Sequence, residues 1–234
     1  MSGYGQFCSM ARAQEVLGGR WTLLIVREIL SGSHRFNDIR RGIPRISRTM
    51  LSERLKALTF AGAVTRADGP HGPEYALTEA GQEIAALVGA LGTWGQRWLS
   101  RQPGKEDIDL DPLLHDIERR VRFAELPRDP FVVRFEVRGH RPRYLLLKKT
   151  EASLCHQNPG FPEPVCVKTT LDALVAWWRG DLSFAEARRI GLEVSGSRNA
   201  VKAFPNWFDL YYFAHIPPAS KAGNPNPHFP LRVQ

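Results

Sequence analysis

Two runs of helical period open the chain and break at Gly18-Gly19: residues 9–17 predict one helix, and "RWTLLIVREIL" (20–30) predicts a second, mostly buried one. "SGSH" (31–34) reads as a turn. In "RFNDIRRGI" (35–43) Phe36 and Ile39 lie three apart on one face, and Gly42 and Pro44 end the helix. Ser47 stands where an N-cap is expected. Leu51, Leu55 and Leu58 then fall at i, i+4 and i+7, which predicts a single apolar stripe along the next helix. The pattern changes to strand type in "AVTR" and "EYAL", separated by "ADGPHGP", and this predicts a β-hairpin. Thr78 caps a further helix over about 78–100, with Ile84, Leu87, Val88, Leu91, Trp94 and Trp98 on its apolar side.

The second half has a different texture. A polar linker is expected over 103–112, within "RQPGKEDIDLDP". "LLHDIERRVRF" (113–123) is helical in pattern, followed by four β-type runs: "PFVVRFEVRG", "RYLLLKK", "ASLCH" and "PVCVKT". "TLDALVAWWRG" and "SFAEARRIG" are helical, and Ser183 and Glu186 have capping-box spacing. "LEVSG" predicts a last strand and "SRNAVKAF" a last helix. The expected organisation is a mostly helical domain with a hairpin at 1–102 and an α+β domain with a meander sheet at 113–213. A Pro- and Asn-rich tail at 214–234 is expected to be extended or disordered.

Charge sharpens the picture for the first part. The 234 residues carry a formal charge of +8 and a sequence pI near 9.7. Between residues 35 and 66 there are eight Lys/Arg against two acids, so most of the excess sits on one short device. A solvated charged face is the plain alternative. On the helix with the leucine stripe, however, the opposite face holds Thr49, Ser52, Glu53 and Lys56, with Arg48 on its shoulder. Two short helices joined by a tight turn, the second with an apolar back and a cationic front, describe a helix-turn-helix suited to a DNA major groove. Arg41, Arg45 and Arg54 are of the kind that meets phosphates, and Arg35 and Ser47 are further DNA-binding candidates. The hairpin would be a wing, with Arg66 and His71 within reach of the minor groove or phosphates.

Other chemistries find little support. Three cysteines (Cys8, Cys155, Cys166) make no CxxC pair and suit a reducing, cytoplasmic setting. The histidines have no ligand spacing, so no metal or cofactor is expected. There is no nucleophile–base motif or phosphate loop, and an enzyme is not expected. The longest apolar run, "WTLLIV", is too short for a bilayer, and no signal pattern opens the chain.

The pieces "FCSMARAQEVLGGRWTLLIVREIL", "RFNDIRRGIPRISRTMLSERLKALTFAGAV" and "YALTEAGQEI" resemble the HxlR-type winged-helix transcriptional regulators over about residues 5–100. The resemblance implies a dimeric, DNA-binding regulator with the first and last helices of this region in the dimer contact. It also aligns Cys8 with a thiol that redox-responsive members use as a sensor, although Ser9 stands where the family commonly has Pro. "FCSMA" puts this thiol at a helix start, which favours the thiolate.

The blocks "PFVVRFEVRG", "NPGFPEPVCVKTTLDALVAWWRGDLSFAEARRIGLEVSG" and "SRNAVKAFPNWF" resemble the sterol carrier protein type-two-like fold over roughly 110–210. That resemblance implies an apolar cavity for a hydrophobic ligand, with Trp177, Trp178, Phe184, Phe204, Trp207 and Phe208 as lining candidates; a solid aromatic core fits the same residues. The expectation is a homodimeric, DNA-binding regulator controlled by a ligand in the second domain or by Cys8. The competing expectation is a hydrophobic-ligand carrier whose first domain serves dimerisation or protein contact.

Overall fold

The computed structural model describes residues 3–99 and 108–219. The chain divides into two compact units, Met1–Gly92 and Thr93–Gln234. The division falls inside a helix, earlier than the expected boundary at 102. Residues 103–107 of the expected linker and 220–234 of the expected tail lie outside the described residues.

The first unit runs α1 (Ser9–Leu17), α2 (Thr22–Leu30), α3 (Phe36–Gly42), α4 (Arg48–Phe60), β1 (Val64–Gly69), β2 (Gly72–Leu77) and most of α5 (Glu79–Trp98). Its core gathers Ile25, Val26 and Ile29 of α2, Ile39 of α3, and Leu51, Leu55 and Leu58 of α4. The leucine stripe is therefore the buried back of α4. Ser47 caps it by accepting from the Met50 amide at 3.1 Å. The hairpin strands are longer than expected, and the turn shrinks to Pro70-His71 because Gly72 adopts a φ of 104°. Thr78 accepts from the Gly81 amide at 3.1 Å, as a cap should, and its hydroxyl donates to the Gly62 carbonyl. At Gly81 a Cβ would stand 2.0 Å from the Ala63 carbonyl, so only glycine lets the first turn of α5 lie this close to the wing.

The second unit contains the last six residues of α5, then α6 (Leu110–Arg119), β3 (Phe131–Val137), β4 (Arg143–Leu147), β5 (Ala152–Cys155), β6 (Val165–Thr169), α7 (Leu171–Trp178), α8 (Phe184–Arg189), β7 (Glu193–Gly196) and α9 (Arg198–Ala203). Helix α6 begins inside the stretch expected as linker. Pro112 is tolerated there because first-turn amides have no intrahelical acceptor. Within this unit Gln96 Nε2 donates to the Arg179 carbonyl at 3.3 Å, and Gln96 Oε1 accepts from Arg179 Nη2 at 3.1 Å.

The sheet is not the simple meander expected. Its strand order is β5-β4-β3-β6-β7, with β6 parallel to β3 and every other pair antiparallel. Only β3–β5 form a meander. The reason lies in β3, where Val132, Val133 and Phe135 are all buried on successive faces, so the strand cannot remain at an edge. β6 covers its second edge, pairing Val133 with Val165 and Phe135 with Val167. Ser183 and Glu186 form the capping box of α8. The indole of Trp178 donates to Asp116 at 2.7 Å, tying α7 to α6, and Glu118 of α6 accepts from the Leu154 amide on the edge strand β5.

Candidate nucleic-acid interface

The burial of Leu51, Leu55 and Leu58 turns the other side of α4 outward. Arg48, Thr49, Glu53 and Lys56 are exposed there, and Ser52 is half-buried beside them. Ser47 is exposed as well, but its hydroxyl oxygen is occupied by the helix cap. Arg45 is exposed in the turn before α4. Arg54 behaves differently. It is half-buried and its Nε donates to the Arg20 carbonyl, at 3.2 Å, between α1 and α2.

The wing is attached to α3 by backbone as well as side chain. Arg35 and Glu74 form a bridge next to the hairpin, and the Tyr75 amide donates to the His34 carbonyl at 2.7 Å. Arg35 Nε lies 3.3 Å from Glu74 Oε1, Arg41 pairs with Asp38 at 3.6 Å and Arg66 with Asp68 at 3.6 Å. All these partners are substantially exposed, and such pairs contribute little, so a phosphate can replace the carboxylate at small cost. Arg35, Asn37, Asp38, Arg41, His71 and Pro73 line one hollow of about 360 Å³. Residues more than thirty positions apart in sequence thus meet at the junction of α3 and the wing tip. Asn37 was not among the expected contacts. The signal was available: four residues before Arg41, it lies on the same side of α3, away from Phe36 and Ile39.

Two further apolar surfaces lie at α1 and along α5. None of the residues of α1 is buried, and Phe7 and Met10 are among the most exposed large apolar side chains. On α5, Leu87, Leu91, Trp94 and Trp98 form a stripe at i, i+4, i+7 and i+11, each about half exposed. Cys8 is the exposed N-cap residue of α1. Its thiol sits below the ordinary cysteine range because the Ala11 and Met10 amides at the open helix start favour the thiolate, although neither contact is a well-formed hydrogen bond.

In the second unit, Trp177, Trp178, Phe204, Trp207 and Phe208 are buried and Phe184 is half-buried. They pack on one another: Trp177 lies 5.6 Å from Phe204 and 5.7 Å from Phe184, and Phe204 lies 5.4 Å from Phe208, between ring centroids. Mutual packing accounts for their burial. A separate open cleft of about 690 Å³ touches this cluster at Phe208 and is otherwise lined by groups such as Arg120, Arg122, Tyr212 and His215. Among the described residues no helix is long and apolar enough to cross a membrane.

The profile of the HxlR-like helix-turn-helix family matches residues 16–103. The chain is 40% identical over 91 residues to the uncharacterized HTH-type transcriptional regulator YvaP of Bacillus subtilis, covering 38% of this chain and 84% of that protein. It is 43% identical over 101 residues to an uncharacterized HTH-type transcriptional regulator of Mycobacterium tuberculosis, covering 41% of this chain and 62% of the relative. Among solved structures, the reduced form of the transcriptional regulator YodB from B. subtilis is 32% identical, with 42% of this chain and 100% of that chain covered and a TM-score of 0.36.

Proposed function

The chain belongs to the HxlR-like helix-turn-helix family, and from that premise we propose that it is a transcriptional regulator that reads duplex DNA as a homodimer. Helix α4 enters the major groove, the hairpin serves as the wing, and the α3–wing junction grips phosphates. One observation carries this reading: α4 buries Leu51, Leu55 and Leu58 while leaving Arg48, Thr49, Glu53 and Lys56 in solvent. A helix serving only the core has no use for that front. The exposed stripe on α5 and the unburied α1 support the dimer, since a second copy related by twofold symmetry would cover both.

Two inputs are proposed for control. One is oxidation of Cys8, supported by its exposure and its lowered pKa. The other is a hydrophobic or amphipathic ligand bound by the second unit, whose pattern resembles the sterol carrier type-two-like fold. The open cleft beside Arg120 and Tyr212 offers more space for such a molecule than the packed rings do. The test of the central reading is a gel shift with genomic fragments, including the promoter beside its own gene, followed by footprinting. An inverted repeat with half-sites about one helical turn apart, or a small multiple, is expected. The absence of any retarded fragment at micromolar protein would sink it.

A further inference from the structure

We infer that Arg54 is a positioning residue for the recognition helix: by tethering α4 to the α1–α2 turn, it sets the rotation of α4 about its own axis. The inference rests on the DNA-binding reading above and extends it to a side chain that is expected, from its type and place in the sequence, to touch phosphate.

Four features meet at the turn. Arg54 Nε donates to the Arg20 carbonyl at 3.2 Å. The guanidinium also packs against the Gly19 backbone: a Cβ there would stand 2.8 Å from Arg54 Cζ and 2.9 Å from Nη1. Arg20 turns its own guanidinium over the Trp21 ring, 4.7 Å from the centroid. Trp21 has a φ of 78°, and among the described residues it is the only non-glycine with positive φ. A tryptophan persists in that region only where its surroundings hold it. The turn is closed by Thr22 N donating to the Gly19 carbonyl at 3.0 Å and Ile25 N to the Trp21 carbonyl at 2.9 Å.

The consequence follows from the difference between the two attachments of α4. Its leucine stripe rests on the core through a non-directional force, which resists lifting the helix more than rolling it. A hydrogen bond is directional. Arg54 lies on the flank of the stripe, three residues after Leu51 and four before Leu58. A tether at that flank opposes roll, and roll decides which side chains of Arg48, Thr49, Ser52 and Lys56 face the bases. It also makes the place of α1 and the attitude of α4 one mechanical variable, since α1 ends at Leu17 and Gly18 is its C-cap.

Two substitutions approach the same contact from opposite sides. Arg54→Gln removes the guanidinium. Gly19→Ala leaves it in the chain but places a methyl group in the space it occupies; Gly19 has no positive φ, so its backbone accepts alanine. Binding to the duplex recovered by footprinting, and to a scrambled duplex, is measured over a series of salt concentrations, with thermal unfolding of each variant alongside. Both variants are expected to weaken binding to the recovered duplex by about tenfold while the slope of log K against log salt stays at the wild-type value. Binding to the scrambled duplex should change much less. A slope reduced by about one unit in Arg54→Gln would make it a phosphate contact and overturn the inference. So would wild-type binding by either variant. Should Gly19→Ala unfold, the slope and duplex preference of Arg54→Gln decide alone. A wild-type chain that binds no duplex removes the DNA-binding reading itself, a result distinct from a changed slope in one variant.

Discussion

The carboxylate of Glu28 occupies the space a side chain at residue 42 would need: a Cβ on Gly42 would stand 1.9 Å from Glu28 Oε2. Glu28 is only 2% exposed, and Arg27 holds it from the outside, with Nη2 2.6 Å from Oε1. The same Nη2 lies 3.4 Å from the Gly42 carbonyl. The buried side chain of Glu28 on α2 thus fixes the end of α3, five residues before Ser47, the cap of α4.

Gly42→Ala should therefore destabilise the first unit by about 1–3 kcal/mol, because the methyl group displaces a buried carboxylate rather than a flexible surface chain. Urea titration followed by far-ultraviolet circular dichroism checks this. An unchanged midpoint would mean that the turn has slack absent from the structure.

On the front of α4, Arg48→Ala and Lys56→Ala should each weaken DNA binding. A residue contacting a base edge should lose roughly 1–3 kcal/mol at one base position. One contacting phosphate should weaken all duplexes alike and reduce the salt slope by about one unit. Glu53→Gln should act in the opposite sense and tighten binding to scrambled duplex, since it removes an exposed carboxylate from the face proposed to lie against DNA. If Arg48→Ala and Lys56→Ala both match wild type at every salt concentration, this face is not the reading surface.

The α5 stripe yields an assembly prediction. Leu91→Glu places a carboxylate in the middle of the apolar row, and in a symmetric seam two such charges approach each other. The wild-type chain should sediment as a dimer at micromolar concentration, and the variant should dissociate at least about tenfold more readily. Equal sedimentation of the two proteins would put the seam elsewhere.

The thiols should separate by pH. Cys8 is exposed and held below the ordinary range by the start of α1. Cys155 is pushed above it, first by burial and second by the Glu118 charge. The thiolate is the reactive form, so alkylation of Cys8 by iodoacetamide should already be fast at a pH where Cys155 is protonated and slow. Mass spectrometry of peptides quenched across a pH series reads both sites in one sample. Equal rates, or faster modification of Cys155, would remove the case for Cys8 as a chemical input.

Much of this protein is written locally. Ser47 before the leucine stripe, the Ser183–Glu186 capping box and the Thr78 cap all involve residues within four positions of each other, and all are present in the structure. Helical period and capping are short-range physics, so the order of elements, the buried side of α4 and its basic front could be derived from the sequence alone. What tertiary structure decided involves partners distant in the chain. Arg54 is engaged by a carbonyl thirty-four residues earlier, and Arg35 by a carboxylate thirty-nine residues later. Residue type could not assign either arginine, because a guanidinium can donate to a carbonyl, a carboxylate or a phosphate, and the fold decides which of them is near. The same holds for β6, whose place beside β3 depended on which edge of a doubly buried strand remained uncovered. It holds also for Trp177 and Phe204: their apolar character was evident, but only the packing of α7 against the 204–208 segment brought ring against ring.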